Sequence, residues 1–178
     1  MFKGDLINWP ELGRTLVVID AANLEQSVKS MGWWVDYVKL YAFFKNKTTL
    51  VDIRYYAPHF NDARQNNFFT VLKKHGFTLI TKPLKIIAEI DKECGHIRKA
   101  NFDVEITLDV VMCMDTYDTF ILFSGDSDFN CLIKKVRCVG KKAVVISSRY
   151  HIARELIESC NRYLDLKKLR DEIERKGK

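Results

Sequence analysis

Four aspartates carry the chemistry this chain could perform. Asp126 and Asp128 stand two residues apart in ILFSGDSDFNCL, directly after a run apolar enough to be a buried strand. Asp20 closes a similar run in VVIDAANL, and Asp103 opens the helical stretch of KANFDVEITLD. Asp and Ser are common turn and helix-cap residues, so each motif alone reads equally well as local structure. Together they pose an electrostatic problem: carboxylates converging on one pocket repel one another and raise one another's pKa values. A positive charge must offset them. An ion-pair network would do so, but Lys99 is the one basic residue within the three motifs. Hard divalent cations with oxygen ligands suit an all-Asp site, so Mg²⁺ or Mn²⁺ is the expected cofactor.

Neighbouring residues sort by geometry. Six residues along a helix place Asp103 and Asp109 roughly 120° apart around the axis and about 9 Å apart along it, so one of them faces a shared site, and Asp103 at the helix start is the better placed. Glu105 and Asp109 share a helix face and fit a solvated acidic stripe equally well. Asn23 either orients a ligand or caps the helix after Asp20. Ser124 and Ser127 shape or cap their turn: GDSDF is not G-x-S-x-G, and no histidine lies nearby to activate a serine.

The elements that must position these residues are alternating strands and helices. Five β-rich runs recur, TLVVID (15–20), DIRYYA (52–57), FTLIT (77–81), TFILF (119–123) and KAVVI (142–146), most of them continuously apolar as strands covered on both faces are. Helical spacing links Leu24, Val28 and Met31; Phe68, Val71 and Leu72; Val104, Leu108 and Val111; Phe129, Leu132, Ile133 and Val136; and Ile152, Leu156 and Cys160. This pattern predicts an α/β fold, Rossmann-like, with a mainly parallel sheet of five or six strands flanked by helices. In such sheets the site lies outside the carboxyl ends of the strands, where Asp20 and Ser124–Asp128 fall. Residues 1–13 read as an N-terminal extension, 14–166 as the domain, and 167–178 as a charged, solvated C-terminal helix or tail. Residues 83–102 form a loop or hairpin.

The chain's 178 residues suit one domain with a substantial core. No stretch approaches the roughly 20 apolar residues that span a bilayer, and MFKGDLINWPELGR has no signal-peptide core, so a soluble cytoplasmic protein is expected, with no membrane partner. Five cysteines without a C-x-x-C pair suggest reduced thiols; Cys94 with His96 lacks the second half of a zinc clip.

A net charge of +6, despite the pooled aspartates, leaves the remaining surface basic. Basic surface around an acidic metal pocket suits a polyanion cut at a phosphodiester. Lys82, Lys85, Arg98 and Lys99 flank the central loop and are the residues expected to bind that polyanion. Lys134, Lys135, Arg137, Lys141 and Lys142 read as ordinary surface. Trp33, Trp34, Tyr55, Tyr56 and His59 lie where a ring could stack on an unpaired base, or pack in the core.

From IDAANL through KPLKII, KANFDVEITLD and FSGDSDF to GKKAVVIS and YLDL, the chain resembles the NYN-domain family, a branch of the PIN-like nucleases. The resemblance implies a metal-dependent ribonuclease. Its pocket aspartates match Asp20, Asp103, Asp126 and Asp128, with Asn23 and Asp109 as secondary matches; Ala21 and Ala100 stand where family members commonly carry Gly. On this reading Asp20 and Asp126 are the principal ligands and Asp103 and Asp128 complete the site. The alternative is a noncatalytic module that holds RNA or a nucleotide in the same pocket. A haloacid-dehalogenase phosphatase would need Asp two residues after Asp20, where Ala22 stands, and DAANLEQ lacks the glycines of a dinucleotide cradle.

Overall fold

The strand that closes on Asp20 is also the middle of the sheet. In β1 (Arg14–Asp20) five consecutive residues are buried, Val17 and Ile19 on one face, Leu16 and Val18 on the other. On one side it pairs with β2 (Thr49–His59), which pairs with β3 (Thr78–Pro83). On the other side stand β6 (Thr119–Phe123), β7 (Lys142–Ser147) and β8 (Arg162–Asp165), giving the all-parallel order β3-β2-β1-β6-β7-β8. β8 adds a strand to the five runs marked in the sequence. The computed structural model describes residues 7–60, 62–83, 85–87, 97–99 and 101–176. Cys94, His96 and Ala100 lie outside the described residues. Within residues 83–102, β4 (Lys85–Ile87) and β5 (Ile97–Lys99) pair antiparallel as a separate two-stranded sheet.

Helices cover both faces. α1 (Ala21–Ser30), α2 (Tyr37–Lys47) and α3 (Ala63–Lys74) pack on one, with Leu24, Val28, Leu40, Phe44 and Leu72 buried against Ile53 and Phe123. Each begins at an aspartate, Asp20, Asp36 and Asp62, whose side chain accepts from a backbone N–H of the first turn. α4 (Asp103–Met112), α5 (Asn130–Cys138) and α6 (Arg154–Ser159) cover the other face. Phe129, Leu132, Ile133 and Val136 are all buried, as their spacing predicts. No helix among the described residues is long and apolar enough to cross a membrane.

Two expectations are corrected. The buried side of α4 is Ile106 and Val110, with Phe102 before them, whereas Val104 and Leu108 are exposed and Val111 lies at the surface. α4 carries apolar residues on two sides, Ile106 and Val110 on one and Val104, Leu108 and Val111 on the other, so periodicity alone could not orient it; Phe102 packing on Tyr56 does. The C-terminal segment is not a solvated tail. A 3₁₀ turn over Leu166–Leu169 and α7 (Arg170–Ile173) bury Leu166, Leu169 and Ile173 in the same core as α1 and α2. The backbone is latched beyond them: Asp36 N donates to Ile173 O at 2.8 Å and Arg175 N to Trp34 O at 2.8 Å.

Because Ile173 is fully buried, Ile173→Ala is expected to cost about 2–5 kcal/mol. Urea unfolding should show a lowered midpoint with an unchanged slope; a midpoint within error of wild type would return the segment to the surface.

Candidate functional site

β1 delivers its chain to α1 on one face of the sheet, and β6, its neighbour, delivers to α5 on the other. The carboxyl ends of these two strands therefore flank a crevice, the place where open parallel sheets hold their ligands. Asp20 ends β1. Ser124, Gly125 and Asp126 follow β6, Asp128 lies in the 3₁₀ turn Ser127–Phe129, and Asp103 is the first residue of α4.

A chain of hydrogen bonds sets these residues. Asp20 accepts from Asn23 N at 3.3 Å, Asn23 Nδ2 at 3.0 Å and Ser124 Oγ at 3.3 Å. Asn23 Oδ1 in turn accepts from Gly125 N at 3.1 Å, so Asn23 is both a cap and a strut between the two strand ends. Ser124 Oγ accepts from Asp126 N at 3.2 Å, and Asp126 Oδ1 from Asp128 N at 3.0 Å. Gly125 was not singled out in the sequence, yet the turn requires it. A Cβ there would lie 1.9 Å from the His151 carbonyl oxygen, because Ala153 N bonds back to Gly125 O at 2.9 Å. A glycine between two site residues was the available signal.

Carboxylate oxygens of Asp103, Asp126 and Asp128 lie within 4.8 Å of one another. Asp20 is not a member of this group; its oxygens are engaged by Asn23 and Ser124. Ion pairs among the described residues engage Asp118, Asp52, Glu105, Glu158 and Glu174, and none of these four aspartates. The donor set is three hard oxygens without thiolate or imidazole, which fits Mg²⁺, Mn²⁺ or Ca²⁺ rather than zinc. Burial raises the Asp20 carboxyl above its ordinary value against the pull of Asn23 and Ser124, and Asp126 adds to the rise. Burial likewise raises Asp103, with Asp126, Asp20 and Asp128 adding like-charge repulsion.

This geometry sits on a chain whose residues 14–170 match the family model described as the NYN domain. The chain belongs to the NYN-domain family. It is 32% identical over 164 residues to the low amplitude and bright protein LabA of Synechococcus elongatus (strain ATCC 33912 / PCC 7942 / FACHB-805), spanning 91% of this chain and 88% of LabA. A crystal structure of a protein of unknown function, VPA0982 from Vibrio parahaemolyticus RIMD 2210633, shares the fold with a TM-score of 0.75 at 23% identity, covering 92% of this chain and 96% of that one.

Within this NYN domain the other expected site residues scatter. Asp109 faces away from the three-carboxylate group: its Oδ2 accepts from Tyr56 Oη at 2.7 Å. Lys82 Nζ donates to Glu105 at 2.6 Å and to the Asn101 carbonyl, and lies 4.6 Å from the Phe102 ring centroid. It ties the end of β3 to the start of α4, and its charge is already offset. Lys85 and Lys99 are register partners across β4 and β5, with Arg98 adjacent. Trp33, Tyr55 and Tyr56 are core residues, while Trp34 is exposed. Lys141 and Lys142 sit at the amino end of β7, away from the crevice.

Raised carboxyls have a stability consequence. A folded-state pKa above the unfolded value gives a contribution that is fully present below the ordinary Asp value and is lost as pH rises through the raised folded value. In EDTA the wild type should therefore melt lower as pH climbs past that range toward neutrality. Asp103→Asn removes the term, so thermal unfolding should show a higher melting temperature at neutral pH and a flatter pH dependence. Equal profiles for the two proteins would mean that Asp103 bears no such strain.

Proposed function

We propose that this NYN domain is a divalent-metal-dependent ribonuclease that hydrolyses RNA phosphodiester bonds. The observation that carries the reading is the three-carboxylate group at the β1–β6 crevice, to which no lysine or arginine among the described residues is paired. Asp103, Asp126 and Asp128 would hold the cation. Asp20 adds charge behind them and, through Asn23 and Ser124, fixes the turn that carries Asp126. A bound Mg²⁺ or Mn²⁺ would supply a Lewis acid for the scissile phosphate and a lowered pKa for the attacking water. Lys85, Arg98 and Lys99 on the β4–β5 hairpin would contact the backbone of the RNA without reading its sequence.

Asp126→Asn tests the site. It keeps size and hydrogen-bonding capacity but removes a charge that would hold the ion. A loss of about 3–4 kcal/mol of transition-state stabilisation slows cleavage by a few hundredfold or more. Wild-type cleavage should stop in EDTA, and RNA affinity should survive the substitution. A divalent ion that binds only the folded state should also raise the wild-type melting temperature, by the equivalent of about 2.7 kcal/mol at a hundredfold excess over its dissociation constant. Cleavage by Asp126→Asn at the wild-type rate would move the site elsewhere. RNA binding sensitive to Asp126, with no metal-dependent cleavage by the wild type, would make the domain a binding module.

The hairpin gives a separate expectation. Lys85→Ala should weaken binding to all single-stranded RNAs alike and reduce the salt dependence of the binding constant by about one phosphate's share. An unaltered affinity and salt slope would place Lys85 off the RNA path.

A further inference from the structure

A second recess opens beside the carboxylates, between the start of α1 and the α3 side of β2. It has a volume of about 440 Å³ and is lined by Ala21 and Ala22, the two residues after Asp20, by Tyr55 and Phe68, and by Phe60 and Arg64 among others. A pocket of this size takes a ligand on the scale of a nucleoside. Four aromatic rings, Tyr55, Phe60, Phe68 and Phe69, contribute to its walls, and two are preorganised: Tyr55 and Phe68 meet edge to face with centroids 5.9 Å apart, and Tyr37 braces both. Phe60 is 45% exposed, an uncovered ring on the lining of a pocket. Base–aromatic contact is how single-stranded nucleic acid is commonly held.

The polar groups are few and unequally committed. Gln65 is spent on the backbone, donating to Pro58 O at 2.8 Å and accepting from Phe60 N at 2.8 Å. Arg64 is exposed and enters none of the ion pairs formed among the described residues. Glu25 is held from within, its Oε1 accepting from Tyr55 Oη at 3.1 Å, while Oε2 has no hydrogen-bond partner among the described residues. The carboxylate is thus oriented by a buried tyrosine and retains acceptor capacity. An ionised carboxylate only accepts, so it selects a ligand edge that presents N–H donors.

We propose that this recess receives an unpaired base of the RNA and that Glu25 makes guanine the preferred one. The inference rests on the ribonuclease reading for the identity of the polymer. Guanine offers two adjacent donors, N1–H and the N2 amine, to one carboxylate. Uracil offers a single N–H between two carbonyl oxygens, which the carboxylate repels. Adenine and cytosine present one amine each and fall between. Phe60 stacks on whichever base enters, and Arg64 meets a phosphate beside it. Ala21 and Ala22 put the pocket wall directly after Asp20, so a base seated here brings its backbone to the crevice.

The test is fluorescence anisotropy with 5′-fluorescein uridine octamers carrying one G, A or C, or none, titrated with the full chain in EDTA so that binding is read without cleavage. The wild type should bind the G-containing octamer about tenfold or more tightly than the all-U octamer, the scale of one charge-assisted hydrogen bond. Glu25→Gln, which replaces one acceptor by a donor, should abolish that difference. Phe60→Ala should weaken all four octamers by a similar factor. Equal wild-type affinity for G and U octamers, or a G preference that survives Glu25→Gln, overturns the proposal. The two readings fail separately: guanine selection without metal-dependent cleavage removes the nuclease and leaves the pocket, whereas cleavage without selection removes the pocket alone.

Discussion

Repulsion among carboxylates is the constraint on which the site end of this domain depends. Oxygens within 4.8 Å of one another repel by up to a few kcal/mol per pair, before solvent around the exposed Asp128 reduces it. Such a group persists only if the backbone gives its members nowhere else to go. The bonds from Asp20 through Asn23 to Gly125, and from Asp20 through Ser124 to Asp126, do this by stapling the ends of two adjacent strands. The sheet is rigid there because β1 and β6 run in register over five residue pairs up to Ile19–Phe123. Gly125 completes the constraint by letting the His151 carbonyl close over the turn. The apolar layers on both faces thus hold the charges in place.

The third carboxylate comes from a different layer, and the means of holding it differ. Asp103 starts α4, whose own packing is modest: two residues, Ile106 and Val110, are buried, while Val104, Leu108, Val111 and Met112 are exposed. Its start is pinned instead by polar and ring contacts. Lys82 bridges the Asn101 carbonyl and Glu105, Asn101 Oδ1 accepts from Asp103 N at 2.8 Å, and Phe102 meets Tyr56. A basic residue expected to bind phosphate is thereby spent on geometry.

The fold was legible wherever burial on both faces forced a continuous apolar run. β6 coincides with TFILF, and β1 and β7 extend their predicted runs by one residue. β8 was harder to see because RYLD is short and only its central two residues are buried. Of the residues marked at strand ends and at the start of a helix, Asp103, Asp126 and Asp128 do converge. The engagement of Asp20 was not legible, since nothing in VVIDAANL reveals that Asn23 and Ser124 donate to it. The C-terminal segment misled because its charged residues outnumber the three apolar ones that dock, Leu166, Leu169 and Ile173. Composition reports the average character of a helix, whereas docking depends on one face of it.

The two adjacent tyrosines of β2 show how the acids of this region come to differ. Consecutive strand residues face opposite sides of a sheet, so Tyr55 joins the core under α1 and Tyr56 the core under α4. Each hydroxyl reaches one carboxylate: Tyr55 bonds Glu25 at 3.1 Å and Tyr56 bonds Asp109 at 2.7 Å. Burial raises both phenols, keeping them protonated donors at neutral pH. β2 therefore donates one hydroxyl hydrogen bond on each face, to Glu25 and to Asp109. Glu105 is satisfied by Lys82, and Asp20 by Asn23 and Ser124. Asp126 receives one backbone N–H, from Asp128, and no side-chain donor among the described residues. Among the described residues, Glu25, Asp109, Glu105 and Asp20 around the crevice each receive a side-chain donor, whereas Asp126 and Asp128, inside it, receive none. That unevenness sets Asp126 and Asp128 apart from an acidic patch whose charges are already balanced.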